Sequence, residues 1–285
     1  MKTLTRNLFG LFFILLIFSL VPGGQAHAES ATLGAVANLQ HLLNLVWVMI
    51  AAALVLLMQV GFMLLEMGLV RSKNSINVAQ KNLLDFTFSV LIFAAVGFMF
   101  AFGRSDGYWV GIDSKLFMLQ GLDSWWFAVF AFQVMFCGTA ATIISGAVAE
   151  RMRLAAYVWC SLITAGLIYP FFAHWAWGSA IVHNTSAFLA EGGFVDFAGS
   201  TVVHGTGRFD ANGRALRIQG HSAATATTGA FLLFVGWIGF NGGSTLAANS
   251  DVPLIIVNTV VAAAAGAAIG YGLGWYRDKI VLPEN

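Results

Sequence analysis

The sequence predicts an all-α, polytopic membrane helix bundle, and three observations carry that prediction. Of its 285 residues 59% are hydrophobic and only 9% charged, against about 25% charged in a soluble domain, so most of its surface must face something other than water. Six apolar runs each reach the roughly 20 residues that a spanning helix needs. The connectors between them are short, with no low-complexity tract and no linker long enough to separate domains.

The first residues read differently from the rest. Lys2 and Arg6 precede a short apolar run over 8–21, followed by Pro22-Gly23-Gly24 and Ala26-His27-Ala28. A basic start, a short apolar stretch and a small-x-small ending have the form of a secretory leader. A signal peptide over 1–28 is expected, leaving a membrane domain over 29–285 that begins outside the cytoplasm.

The six runs are 42–70, 83–102, 126–148, 154–177, 223–243 and 252–275. Their orientation follows from the cations, which favour cytoplasmic connectors. Arg71, Lys73 and Lys81 follow the first run, Arg151 and Arg153 the third, Arg208, Arg214 and Arg217 precede the fifth, and Arg277 and Lys279 follow the sixth. The alternate connectors hold only Arg104 and Lys115. One connection needs an additional crossing, between Trp177 outside and Arg208 inside. The apolar candidate is 194–204, whose eleven residues cover only about 16 Å as a helix, against roughly 30 Å of hydrocarbon. A shortened helix is expected there.

Several function classes drop out. A formal net charge of +1 gives no reason to expect nucleic acid. Cys137 and Cys160 lie in apolar runs and form no CxxC metal site. No HExxH, GxSxG, paired catalytic carboxylates or phosphate-cradling glycine loop is present, so neither an enzyme nor a cofactor is expected.

Polar groups inside a membrane are costly and therefore functional by default. Their clearest cluster is Phe194-Val195-Asp196-Phe197-Ala198-Gly199-Ser200-Thr201-Val202-Val203-His204. Asp196 stands at the outer mouth of the candidate helix, with His204 eight residues on, two turns down the same face. Asp196 can cap the free N–H groups or attract a cation, and both roles stay open. Phe132 and Phe136 share a face at i and i+4, Trp177 ends the fourth run, and Trp237 and Phe240 precede Asn241-Gly242-Gly243-Ser244. Rings with a serine acceptor suit a small cation; packing or an interfacial belt is the competing reading.

These residues also carry a resemblance. Phe132 to Phe136, then Gly146-Ala147-Val148-Ala149-Glu150-Arg151, resembles the paired phenylalanines and "AER" corner of the Amt branch of ammonium transporters. His174-Trp175-Ala176-Trp177-Gly178 is similar to that family's tryptophan segment. Asp196 to His204 resembles its "DFAGGTVVH" signature with Ser200 as the one change, and Gly236 to Ser244 resembles "GWFGFNAGS". Met67-Gly68-Leu69-Val70-Arg71 and Asn258-Thr259-Val260-Val261-Ala262 agree as well.

The resemblance implies an external ammonium site of Trp177, Phe136 and Ser244 supported by Asp196, a stacked gate of Phe136 and Phe240, and a pore containing His204, Phe132 and Trp237. His204 is then the first of two pore histidines that accept the proton while ammonia crosses. It also implies a homotrimer in the bacterial inner membrane. Relative to the family's eleven spans the chain is expected to be incomplete. His41, His174, His183 and His221 lie near span ends and supply no second pore histidine, and the tail that docks PII-type regulators is expected to be absent. The alternative expectation is a non-conducting ammonium-sensing or truncated membrane protein. Conduction by the chain alone is expected to be weak.

Overall fold

The computed structural model describes residues 22–105, 107, 109–182, 186–207 and 220–278. They divide into two units, residues 1–44 and 45–285. The described part of the first is the opening stretch of α1 (Pro22–Leu69), where Gln40 Nε2 donates to Asn44 Oδ1 at 2.8 Å. The second unit contains the remainder of α1 and then α2 (Ser75–Ile92), α3 (Phe98–Phe102), α4 (Ser124–Ala147), α5 (Leu154–Ile163), α6 (Tyr169–Ile181), α7 (Phe188–Glu191), α8 (Val202–Gly207), α9 (Ala223–Gly243) and α10 (Val252–Asp278). No strand occurs among the described residues. Residues 1–21 of the expected leader lie outside them, and 22–28 belong to α1.

Six helices are long and apolar enough to cross a membrane, and two of these are composite. A π-helical turn, Phe93–Gly97, joins α2 to α3, and another, Thr164–Ile168, joins α5 to α6. The two turns meet, since a Cβ on Gly97 would stand 2.7 Å from the Ala165 carbonyl oxygen. Pro170 in the first turn of α6 has no N–H for the preceding turn to bond, and such gaps in the ladder accompany irregular helix.

Among these spans α4 is central: 72% of its apolar window is buried, against 39% or less for the others. Asp123 starts it by accepting from Trp126 N at 2.9 Å, and Ser222 caps α9 through Thr225 N at 3.2 Å, both ordinary N-cap chemistry. α9 lies almost backbone to backbone on α1. A Cβ on Gly229 would sit 2.4 Å from Leu65 N, and one on Gly68 2.5 Å from Ala226 N. Small residues allow such close crossing where lipid gives no hydrophobic drive to associate. α10 packs on α9 through an Asn241 Nδ2 to Thr259 Oγ1 hydrogen bond of 2.9 Å, while its own apolar window buries nothing.

Two expectations change here. The second span starts earlier than 83, at Ser72, so Lys81 is not a connector cation. It is buried in α2, with Nζ donating to the Ser145 carbonyl at 2.6 Å and lying 3.9 Å from Glu66 Oε2. The hydrophobic count missed it because a paired cation can sit inside an otherwise apolar helix. Arg208, Arg214 and Arg217 lie outside the described residues.

The corner after α4 is held by Glu150, whose φ of 62° is in the left-handed region, costly for a residue with a Cβ. Its carboxylate accepts from Arg71 N at 2.8 Å and Arg71 Nε at 2.9 Å. Hydrogen bonds from the Arg71 side chain first, and from Asn74, pull its pKa from 4.5 down to about 2. A depressed carboxyl pKa stabilises the fold above the unfolded value, and that contribution is lost as pH falls from 4.5 through about 2. The stability difference between wild type and Glu150→Gln is therefore expected in full at pH 7 and mostly lost by pH 2. Unfolding in detergent across this range measures it; a difference as large at pH 2 as at pH 7 would contradict the assignment.

Candidate functional site

At the end of the bundle where α9 finishes, a cavity of about 410 Å³ is lined by Phe132, Phe136, Trp177, Asp196, Phe197 and Ser244, together with Gln133. α4 delivers Phe132, Gln133 and Phe136, α6 delivers Trp177, and the turn after α9 delivers Ser244. Gln133, which sequence reasoning did not single out, is buried and accepts from Tyr169 Oη at 3.4 Å. Its signal was there in principle, as one amide in an apolar run.

Four side chains follow one another from this cavity. Trp177 meets Phe136 edge-on, with centroids 6.2 Å apart at 80°. Phe136 stacks on Phe240 at 3.9 Å and 11°. Phe240 in turn meets the His204 imidazole at 6.4 Å and 72°. Phe132 leans on Phe136 at 4.7 Å and lines the cavity rather than the stretch beside His204. Trp237 does not line the cavity at all, but packs half-buried against the core.

The segment before His204 differs from expectation. Residues 196–201 are turn rather than helix, and α8 begins only at Val202. Asp196 and His204 are therefore not two turns apart on one helical face. The reason is chemical: Asp196 Oδ1 accepts from Gly199 N (2.7 Å) and Ser200 N (3.0 Å), and Oδ2 from Thr201 N (2.9 Å) and Val202 N (2.7 Å). A carboxylate that gathers four backbone donors winds the chain around itself. Gly199, at φ +85° and with no room for a Cβ beside Val203, makes the turn possible. Trp177 Nε1 donates to the Asp196 carbonyl at 2.6 Å, which ties the indole to the same turn.

Two hydrogen bonds set the remaining polar groups. Ser244 Oγ donates to the Phe240 carbonyl at 2.7 Å, so its lone pairs are what it can offer a ligand. His204 Nδ1 lies 3.1 Å from the Gly199 carbonyl oxygen. A carbonyl only accepts, so Nδ1 carries the proton and neutral His204 presents Nε2 as a proton acceptor.

Two other histidines have structural partners. His174 is fully buried within α6 rather than near a span end, with Nδ1 donating to the Ala101 carbonyl at 3.0 Å. His221 clasps the end of α1 through the Val70 carbonyl at 2.9 Å. His183 lies outside the described residues. No group of His, Cys, Asp and Glu able to hold a metal occurs among the described residues.

Comparison with known proteins agrees with this architecture. The chain is 37% identical over 262 residues to ammonium transporter Amt2 of Archaeoglobus fulgidus, covering 82% of this chain and 54% of that one. It is 37% identical over 264 residues to Amt2 of Methanocaldococcus jannaschii, covering 88% and 61%. A solved structure named Sensor Amt Protein superposes with a TM-score of 0.80 at 38% identity, covering 85% and 64%. Candida albicans Mep2 shares the fold at 24% identity and a TM-score of 0.71, covering 83% and 56%. The chain spans about half the length of the curated relatives it matches. A model of the Ammonium Transporter Family matches residues 46–282, and this multi-pass membrane protein belongs to that family.

Proposed function

We propose that the chain recruits ammonium at the Trp177 cavity, admits it without its water shell past the Phe136–Phe240 pair, and gives its proton to His204 Nε2 so that ammonia alone continues. The observation that supports this reading most is the order Trp177, Phe136, Phe240, His204, with rings stacked at 3.9 Å between cavity and imidazole. Each ring face attracts a small cation by about 0.5–2 kcal/mol when partly desolvated, and Ser244 adds an oxygen acceptor. Two rings in van der Waals contact exclude a hydrated ion. Potassium matches ammonium in charge and size but has no proton to lose, so deprotonation before an apolar passage discriminates between them. Nε2 of His204 is the acceptor available on the far side.

The same reading takes the bacterial inner membrane as location, a leader over 1–28, a mature N-terminus outside and a homotrimer. A second reading, ammonium sensing without conduction, is favoured by the 38% identity to the Sensor Amt Protein. Proteoliposomes separate the two. A weak ammonium-evoked current is expected, falling by about tenfold or more in His204→Ala as for loss of a proton acceptor, with none evoked by potassium. Ammonium-induced change in Trp177 fluorescence without current would instead support sensing. Equal responses to potassium and ammonium would overturn both.

A further inference from the structure

A second polar assembly lies at the opposite end of the bundle from the Trp177 cavity, where α1 and α4 finish. Its centre is Glu66 of α1, more than nine-tenths buried. Oε2 accepts from Ser145 Oγ of α4 at 2.7 Å and from Asn82 Nδ2 of α2 at 3.1 Å, with Lys81 Nζ 3.9 Å away. Asp85 of α2 is fully buried behind them and accepts from the Tyr157 hydroxyl of α5. Lys81 also lies 5.1 Å from the Tyr157 ring centroid.

Two features set this cluster apart from an ordinary buried ion pair. The first is its charge count. Glu66 and Asp85 are two acids, and Lys81 is the one base buried among them. The nearby Arg71 and Glu150 neutralise each other in the corner, and His221 faces the Val70 carbonyl and Ser75. Burying the surplus negative charge is steeply unfavourable inside a bundle at membrane depth. The second feature is Glu66 Oε1, which is buried and has no protein partner. Glu66 lines a cavity of about 170 Å³ shared with Leu69 at the exposed end of α1, Gly146 and Ala147 at that of α4, and Arg151 in the corner beyond.

We propose that this cluster is a proton site, in which Glu66 binds one exchangeable proton at Oε1, taken up through the cavity from the compartment at the Arg71 end of the bundle. Hydronium gives the proton to the carboxylate and leaves as water, and the cluster becomes neutral. A metal ion fits less well: a hard cation needs about six oxygen ligands, whereas Glu66 is the one carboxylate among the cavity's lining residues and Arg151 lines its wall. The site is separate from the aromatic pathway, because Phe136 and Gly146 are ten residues apart on α4, about 15 Å along its axis.

Infrared difference spectroscopy of the full chain in nanodiscs, titrated with bulk pH, tests the proposal. A protonated-carboxyl band that appears and disappears reversibly is expected. It should shift when glutamate is labelled with ¹³C and stay in place when aspartate is labelled, a comparison that needs no substitution. Glu66→Gln should lose the band, and Glu66→Asp should restore one if Glu66→Gln fails to fold. Asp85→Asn should also lose it, because Glu66 and Lys81 then balance. No band in wild type, a band insensitive to glutamate labelling, or a band that survives Glu66→Gln or Asp85→Asn would overturn the proposal.

Discussion

Replacing Asp196 by Ala is expected to destabilise the bundle by about 3 kcal/mol or more and to abolish any ammonium response of the Trp177 cavity. The carboxylate receives four backbone N–H groups within 3.0 Å, and removing it leaves them unpaired, those of Gly199 and Val202 in buried surroundings. An unsatisfied buried donor costs about 1–3 kcal/mol, with more at stake when the acceptor was charged. The effects overlap, because the turn can relax as a unit, so the sum is a ceiling. Asp196→Asn is expected to fare little better, since its amide directs N–H₂ towards two backbone donors. Function fails with structure here: the same turn carries the carbonyl that orients Trp177 and the one that fixes the His204 tautomer. Thermal unfolding in nanodiscs, together with Trp177 fluorescence, measures both effects. A loss below about 1 kcal/mol would show that the turn holds without its carboxylate.

Gly229→Leu is expected to be the most damaging single change at the α1–α9 crossing. A Cβ at position 229 would lie 2.4 Å from Leu65 N and 2.6 Å from the Gly61 carbonyl oxygen. These are backbone atoms of another helix, so no rotamer change relieves the clash and α9 must move away. Overpacking costs about 1–3 kcal/mol when side chains can yield, and here they cannot, so at least the upper end is expected. α9 can still insert, since a helix satisfies its own backbone hydrogen bonds, but Phe240 would be carried off Phe136. The variant should therefore reach the membrane, unfold at lower temperature and become sensitive to protease in the 220–243 region. Wild-type melting behaviour would contradict the close crossing.

Much of this architecture is legible in the sequence, for reasons that can be named. The spans announce themselves because lipid rewards long apolar runs, and α4 to α6 fall within a few residues of where hydropathy places them. Phe136, Trp177, Phe240, Ser244 and His204 are legible through the motifs that carry the resemblance; composition alone, with 25 Phe and 9 Trp, leaves packing as an equal reading. The segment 194–204 misleads because its composition is apolar while its conformation is dictated by one carboxylate. Hydropathy sums over residues and has no term for a side chain that competes for four amides. Lys81 and Glu66 mislead in the opposite way: each reads as a local charge, and only packing of α2 on α4 and α1 shows that they belong together. Trp237 could not be separated from Phe240 by pattern alone, since three residues along a helix is close enough to share a face.

The paired π-turns have a consequence for how the two composite spans are built. Each residue of an α-helix advances the chain by about 100°, and a π-turn accommodates one residue more than the α-helical ladder would. Each composite span is therefore two half-helices out of phase, so the face that α2 turns to the centre is not continued by α3, nor that of α5 by α6. These phase changes let the first composite span present Lys81 and Asp85 to the interior at one depth and Phe98 at another, and the second Tyr157 at one depth and His174 and Trp177 at another. The two shifts touch at Gly97 and Ala165. Deleting one residue in only one of the turns would rotate one half-span against its neighbour, whereas matched deletions in both would preserve their relative phase.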